Sequence, residues 1–486
     1  MIRRILLACM ATVAAYFTSA PRVEAAAKPN IIFVMADDMG WGETGYRGHP
    51  VLKTPNLDAM AAAGLRFERF YAGCPVCSPT RASVLTGRAN DRTGVLSHGY
   101  ALRLQEKTIA QALRAAGYAT GHFGKWHLDG FKGPGAPILA DDPRSPGAFG
   151  FDEWISVTNY FDRDPILSRR GKFEEFQGDS SEIAVAEAVK FLDANRASGK
   201  PTFAVVWFGS PHGPSRALPA DAAHFADLDK ESQNHYGELA ALDRAVGTLR
   251  RELREFGIAD DTLLVFCSDN GGLPKIEPAT VGGLRGNKGT VFEGGLRVPG
   301  IIEWPAVIKP RVTNYPSSTM DLFPTVVDVL GLPPSVMIQP VDGASLKPLF
   351  NQELARREKP IPFRYSGKGA MIDDHFKLVA DGAVDGPFHL YDLKTDPAES
   401  HDLFGERSDV AESLKRAFLT WNASVEASFA GRDYPEGRVS PPDPKPISWS
   451  EFPGYKPYLA EWSKRPEYRG LGDVKPAAKH ARGKSE

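Results

Sequence analysis

The segment CSPTRASVLTGR, residues 77–88, combines a potential nucleophile with groups that bind anions. Ser78 and Pro79 are residue types favoured at the start of a helix. They place Cys77 just before the helix N-terminus, where unpaired backbone N–H groups and the helix dipole attract an anion. Arg81, one turn later, adds a planar cation suited to a sulfate-like or phosphate-like group. The segment therefore predicts nucleophilic chemistry on an anionic substrate.

The order Cys77-Ser78-Pro79-Thr80-Arg81, followed by Leu-Thr-Gly-Arg, resembles the signature of the type I sulfatases. These are arylsulfatase-like, formylglycine-dependent enzymes of the alkaline phosphatase superfamily. The resemblance implies that a formylglycine-generating or sulfatase-maturating enzyme converts Cys77 to 3-oxoalanine (formylglycine), whose hydrate attacks sulfur. Thr80 replaces the more usual serine, while Arg81 is kept.

The cysteines admit other interpretations. Cys74 and Cys77 have the spacing of a thioredoxin-like redox pair at a helix start. A packing role for both, as small buried side chains, is a further alternative. The sequence also leaves open whether Cys74 pairs with Cys267.

A second set of candidate residues consists of acids and an amide that follow apolar, β-branched runs: Asp37 and Asp38 after one run, Asp269 and Asn270 after another. In open α/β sheets, ligands bind at the carboxyl ends of the strands, so we expect these side chains to meet. Two like charges about 4 Å apart repel by roughly 4 kcal/mol at an effective dielectric near 20, so the three acids need a cation. Oxygen and amide ligands favour calcium, with magnesium second. The sulfatase resemblance implies the same calcium site, completed by the modified Cys77.

Two lysines and two histidines complete the predicted site. Lys125 and His127 lie in Gly-Lys-Trp-His-Leu, which resembles another sulfatase motif, and Lys288 matches the second active-site lysine of that family. His212 matches the histidine expected after the central strand. The resemblance implies that Lys125, Lys288 and Arg81 neutralise the sulfate oxygens together with the metal. A histidine can protonate the leaving alcohol, and we favour His212 for this role, with His127 orienting the formylglycine hydrate.

The elements that must position these residues alternate between strand and helix. Strands are predicted at 30–36, 118–123, 202–208 and 262–267, and helices at 54–63, 108–116, 181–197 and 232–256. This alternation predicts an α/β fold with a large, mainly parallel sheet sandwiched by helices. The resemblance implies that the sheet is alkaline phosphatase-like.

Changes in composition divide the chain into four regions. Two arginines and an apolar stretch predict a signal peptide over residues 1–26, hence an exported, periplasmic or secreted protein. Residues 27–350 form the predicted catalytic domain. Short alternating strands and one amphipathic helix predict a smaller antiparallel sheet with a packed helix over 351–440. Residues 441–486 form a proline-rich extension and a polar tail that we expect to be disordered from 475.

The bulk composition excludes some partners. The 486 residues are 42% hydrophobic and 24% charged, with a net charge of −2, which gives no reason to expect binding to nucleic acid or an anionic membrane. No segment after the signal peptide approaches the length of a membrane span. The expected partners are a sulfated small molecule or glycan and the maturation enzyme.

The sequence thus predicts an exported sulfatase acting on a sulfated carbohydrate or an aryl sulfate. A formylglycine-dependent phosphonate or phosphodiester hydrolase is one alternative, because relatives with the same nucleophile motif perform that chemistry. A non-catalytic glycan-binding relative is the other, disfavoured because every expected catalytic position is filled.

Overall fold

The computed structural model describes residues 28–278, 280–382 and 386–468, so the predicted signal peptide and polar tail lie outside the described residues. Its centre is a ten-stranded sheet. Across the sheet, the strands are β13 (Arg311–Thr313), β2 (Leu65–Phe67), β12 (Gly300–Glu303), β10 (Thr262–Ser268), β1 (Asn30–Ala36), β9 (Thr202–Trp207), β4 (Ala119–Lys125), β6 (Glu153–Val157), β7 (Ile166–Arg169) and β8 (Lys172–Glu175).

The four predicted strands, which correspond to β10, β1, β9 and β4, run parallel, and β6, which was not predicted, joins them in the same direction. Their register aligns the carboxyl ends: Ala36 lies beside Ser268, and Trp207 lies beside both Met35 and Gly124. The edges carry antiparallel strands, including β12, β7 and β8, which the sequence did not reveal because they are short and partly polar. The sheet is therefore mixed but mostly parallel.

Helices cover both faces of the sheet. Their bounds are α1 (Pro55–Ala63), α2 (Cys77–Thr86), α3 (Ile109–Ala115), α4 (Ser180–Arg196), α5 (Pro219–Ala222), α6 (Lys230–Glu255), α7 (Glu293–Leu296), α8 (Leu322–Leu330), α9 (Ser408–Phe429) and α10 (Lys456–Trp462). Alternate side chains of β1 enter opposite cores: Ile31 and Phe33 pack with α2, α3 and α8, whereas Ile32 and Val34 pack with α1, α4 and α6. Because alternate side chains of β1 enter two buried cores, one on each face of the sheet, positions 31–36 of the strand face apolar surroundings and the sequence 30–36 is apolar almost throughout.

The start of α2 differs from the prediction. The helix begins at Cys77, with Val76 as its N-cap, rather than after Ser78. The Ser78 hydroxyl accepts a hydrogen bond from the backbone N–H of Gly99 at 2.9 Å, so a tertiary contact replaces the expected capping role. The helix ends at Gly87, which adopts the left-handed conformation with φ 70° that favours glycine.

The C-terminal part forms the predicted small antiparallel sheet, with strands β15 (Ile361–Tyr365), β16 (Lys368–Asp373), β17 (Phe376–Ala380) and β18 (Phe388–Asp392). Helix α9 packs on it through Leu414 and Phe418. Two minor sheets contain β3 (Phe70–Tyr71), β11 (Arg297–Val298) and β14 (Ser317–Ser318), and β5 (Phe131–Lys132) with β19 (Ile447–Ser448). Among the helices described, none is both long and apolar enough to cross a membrane.

Candidate active site

The predicted acids meet where β1 and β10 end side by side. Asp37 and Asp38 follow β1, and Asp269 follows β10. The backbone N–H of Asp38 donates to Asp269 Oδ1 at 3.1 Å. Asp38 has a left-handed backbone with φ 69°, which aspartate tolerates better than most residues. The strand register therefore creates the cluster that the sequence predicted.

The cluster has the composition of a site for a hard cation. One carboxylate oxygen from each of Asp37, Asp38 and Asp269 and the Cys77 sulfur lie within 4.8 Å of one another, and all four residues are buried. Within the described residues, Asp37 Oδ1 and Asn270 Oδ1 are buried without a hydrogen-bond partner. Burial and the neighbouring Asp37 charge raise the pKa of Asp269 to about 6. These donors fit a calcium-like ion, which would satisfy both free oxygens and relieve the repulsion.

A basic side chain contacts each of the three acids. The shortest separations are 2.5 Å from Lys125 Nζ to Asp37 Oδ2, 2.7 Å from Lys288 Nζ to Asp38 Oδ2 and 2.7 Å from Arg81 Nη2 to Asp269 Oδ2. Burial raises the pKa of Asp38, but the charge of Lys288 and the hydrogen bonds from Lys288 and Asn270 oppose this effect, and the pKa lies well below its usual range. For Lys288 the signs are opposite: burial lowers its pKa, but the negative charge of Asp38 opposes burial, and the pKa is raised above its usual value. The pair is therefore ionised, and positive and negative groups alternate across the site.

Both predicted histidines reach the site. One ring nitrogen of His212, the Asp37 carboxylate and the Cys77 sulfur lie within 4.8 Å of one another. His212 Nδ1 lies 2.6 Å from the carbonyl oxygen of Gly213, and its ring stacks on Tyr160 with 4.3 Å between centroids and 7° between planes. His127 has a left-handed φ of 57°, and neither of its ring nitrogens has a partner in the described part of the chain.

Both imidazoles are held neutral. Burial, followed by the charge of Lys288, lowers the pKa of His212 well below its usual value. Burial, followed by the charges of Lys125 and Arg81, does the same for the pKa of His127. Because a carbonyl oxygen only accepts, the neutral His212 ring carries its proton on Nδ1, which leaves Nε2 free to exchange a proton with a ligand.

Three residues at the site were not predicted. Tyr160 stacks on His212, Trp207 lies under the Arg81 guanidinium at 5.1 Å, and His98 lies near both lysines. Burial and the charges of Lys288 and Lys125 lower the pKa of His98 to about 4. The apolar residues of β6 predict a strand, and Tyr160 follows that strand at the edge where ligands bind, so the sequence could have indicated it. His98 follows no strand, so this signal was absent for it.

The nucleophile candidate is a buried thiol. Burial and then the charge of Asp37 raise the pKa of Cys77 well above its usual value, so the unmodified side chain stays protonated. Cys74, Cys77 and Cys267 are all free in the described part of the chain. The structure therefore shows no disulfide between Cys74 and Cys77 or between Cys74 and Cys267.

The fold and the site define a class of protein: an α/β protein whose sheet carries acids, lysines and histidines around a helix-borne cysteine at its carboxyl edge. A family model described as Sulfatase matches residues 29–332, and the chain belongs to the sulfatase family.

Similar proteins agree with this membership. Arylsulfatase A of Homo sapiens is 32% identical over 462 residues, covering 80% of this chain and 87% of the relative. N-acetylgalactosamine-6-sulfatase of Sus scrofa is 34% identical over 378 residues, covering 71% and 69%. Among solved structures, Ps i-CgsB in complex with k-i-k-neocarrahexaose is 26% identical, with a TM-score of 0.73 over 81% of this chain and 93% of that chain. The chain is therefore a sulfuric ester hydrolase.

Proposed function

We propose that this sulfatase is exported and hydrolyses sulfate esters of a carbohydrate, using Cys77 in its formylglycine form and one calcium ion. The observation that carries the proposal is the convergence of Cys77 with Asp37, Asp38 and Asp269 inside 4.8 Å, surrounded by three basic side chains. Aryl sulfates are the simplest alternative substrates. The two-part N-terminal pattern of arginines and apolar residues supports export.

The raised pKa of Cys77 supports the modification, because a protonated thiol is a poor nucleophile at neutral pH. When present, the formylglycine hydrate supplies an oxygen nucleophile and the calcium ion supplies positive charge. Asp37, Asp38, Asp269 and Asn270 would hold the ion together with residue 77. A formylglycine-generating or sulfatase-maturating enzyme is the partner that this proposal requires.

The basic residues would bind the sulfate group. Lys125 and Lys288 reach the acids from different elements, the end of β4 and the segment before α7, so their ammonium groups approach the site from two directions. When a metal ion offsets the negative charge of the carboxylates, each lysine ammonium group can leave its carboxylate partner and contact a sulfate oxygen. Arg81 is fully buried against Asp269 and adds positive charge from behind the nucleophile. Together they stabilise the charge that grows during S–O cleavage.

The two histidines would handle protons. His212 is held by the Gly213 carbonyl and by Tyr160, and its Nε2 lies 3.9 Å from Asp38 Oδ2, whose charge favours the protonated ring. Because Nε2 of the neutral ring carries no proton, it would first take one up from solvent when the sulfate ester binds and then deliver it to the departing alcohol. His127 has both nitrogens unpartnered among the described residues, and its charge is suppressed, so it suits the task of orienting the hydroxyl groups at residue 77.

The choice of a carbohydrate rests on the relatives. One relative is an N-acetylgalactosamine-6-sulfatase, and one similar solved structure is a complex with a neocarrahexaose. We extend to this chain only the substrate class that these proteins share, a sulfated sugar.

We also keep the domain division predicted from the sequence: a catalytic domain over 27–350, a subdomain over 351–440 and an extension from 441.

The test is direct detection of released sulfate. The chain, co-expressed with a maturation enzyme, is incubated with sulfated glycans and with 4-nitrophenyl sulfate, and ion chromatography measures sulfate. Phosphonates and phosphodiesters are assayed in parallel, and Cys77→Ala is the control. Sulfate release from glycans by the wild type alone supports the proposal. Phosphoester turnover without sulfate release would favour the alternative hydrolase, and no turnover of either would favour a glycan-binding role.

A further inference from the structure

The segment that carries Lys288, residues 285–293, is held at both ends by the C-terminal part of the chain. At one end, Arg285 Nη1 donates to the carbonyl oxygen of Glu399 at 2.9 Å and to the Tyr391 hydroxyl at 3.1 Å. At the other end, the backbone N–H of Glu293 donates to Glu399 Oε2 at 2.6 Å. Glu399 therefore contacts both ends of the Lys288 segment.

A buried ion pair strengthens the second attachment. Lys377 Nζ, from strand β17, lies 3.0 Å from Glu293 Oε1 and 2.9 Å from Glu399 Oε1, and all three side chains are fully buried. The Tyr71 hydroxyl donates to the other oxygen of Glu293 at 3.1 Å. Lys377 therefore lies between two buried carboxylates and links Glu293, at the end of the Lys288 segment, to Glu399.

The backbone of Glu399 is itself strained. Its φ is 55°, in the left-handed region that a residue with a long side chain rarely adopts. Such a conformation is unfavourable by itself and persists only where the surrounding structure holds it. Here it lets one residue offer its carbonyl oxygen to Arg285 and its carboxylate to Glu293. Strain of this kind is concentrated at functional sites.

The Lys288 segment needs these attachments because its own backbone is irregular. Residues 285–292 consist of bends and a turn at Lys288, and Gly289 has φ 86°. The backbone N–H of Lys288 donates to Gly272 at 3.0 Å, and that of Gly289 donates to Pro75 at 2.9 Å. The segment therefore bridges the loop after β10 and the loop before Cys77, and the place of Lys288 Nζ depends on how both ends are fixed.

We propose that Glu399 and Lys377 are positioning residues for catalysis: they act through the Lys288 segment to place the Lys288 ammonium group. The inference rests on the proposed role of Lys288 in binding sulfate. Both residues lie beyond residue 332, where the match to the sulfatase family model ends. The C-terminal subdomain thereby becomes part of the catalytic apparatus.

The test is a double-mutant cycle on the co-matured enzyme, with Glu399→Ala, Lys288→Ala and the pair. Glu399→Ala alone should lower kcat by about 10- to 100-fold, the scale of a small misplacement of a catalytic group. In the Lys288→Ala background, Glu399→Ala should lower kcat by less than about twofold, because the displaced segment then carries no ammonium group whose position matters. Glu406→Ala, an exposed glutamate in the same region, is the matched control and should match wild type.

A second variant covers the case in which Glu399→Ala folds poorly. Lys377→Met with Glu399→Gln removes both charges together, and its melting temperature is compared with that of Lys368→Met, an exposed lysine of the same sheet. The folded variant should show the same kcat loss and the same dependence on Lys288. Equal losses in both backgrounds, or activity like that of Glu406→Ala, would overturn the positioning role alone. Full activity of Lys288→Ala would overturn both this inference and the proposed role of Lys288.

Discussion

Arg81 Nη2 lies 2.7 Å from Asp269 Oδ2, although the two residues are 188 positions apart in the chain. Both side chains are fully buried. The contact joins the first turns of helix α2, which begins at Cys77, to the acidic cluster at the end of β10. The Arg81 charge opposes the effects of burial and of Asp37, which still leave the pKa of Asp269 raised to about 6. One arginine thus fixes helix α2 relative to the acidic cluster.

The two lysines should be essential for turnover. Lys125→Ala and Lys288→Ala should each lower kcat by about 10²-fold or more, because each removes a preorganised positive group from the charge that develops on sulfate. Steady-state kinetics with 4-nitrophenyl sulfate measures the effect. The control is Lys275→Ala, an exposed lysine in the preceding loop, which should behave as wild type. An essential Lys275 with a dispensable Lys288 would show that the second lysine is wrongly assigned.

Metal removal should affect both activity and stability. Chelation should abolish turnover and lower the melting temperature, because Asp37, Asp38 and Asp269 lose the cation that offsets their repulsion. Elemental analysis before and after chelation verifies the removal, and added calcium should restore both properties better than magnesium. Undiminished activity in protein shown to be free of metal would refute the calcium assignment.

The modification of Cys77 should be visible in the protein itself. Mass spectrometry of the peptide that contains Cys77 should show an aldehyde in place of the thiol after co-expression with a maturation enzyme, and the thiol without it. Activity should follow the modified fraction, since burial and Asp37 keep the unmodified thiol protonated. Cys267, buried but outside any motif, is the internal control and should remain a thiol. Full activity with an intact Cys77 thiol would contradict the proposal.

His212 should matter more for poor leaving groups. His212→Asn removes the proton donor, which a sugar alkoxide needs and a nitrophenolate scarcely does. We therefore expect a loss of kcat/KM at least about 10-fold larger with a sugar sulfate than with 4-nitrophenyl sulfate. His224→Asn, at an exposed position, should leave both substrates unaffected. Equal losses on the two substrates would assign His212 to binding rather than to proton transfer.

Much of the site was predictable because local rules apply to it. Apolar runs long enough to be buried on both faces identified β1, β9 and β10, and their parallel order brought Asp37, Asp38, Asp269 and Asn270 to one edge. The motif at Cys77 and the segments of Lys125 and Lys288 identified the family. In each case the information lies within a few consecutive residues.

The tertiary structure decided the features that depend on residues distant in sequence. The Gly99 contact engages Ser78 and moves the start of α2 to Cys77. The stack of Tyr160 on His212 depends on how the loops that follow β6 and β9 meet. The nearness of His98 to both lysines depends on a loop without a periodic pattern. Glu399 reaches the Lys288 segment from 106 residues away.

The sequence by itself therefore determined the chemistry that the chain carries and the edge of the sheet where it assembles, because residue type, strand burial and strand order are encoded locally. Only the tertiary structure decided which acid each cation contacts, how the histidine rings are held and which part of the C-terminal subdomain reaches the site. The physical reason is that ion pairs and ring stacking depend on separations of a few ångströms. Such separations are set by the packing of whole elements and leave no trace in the spacing of residues along the chain.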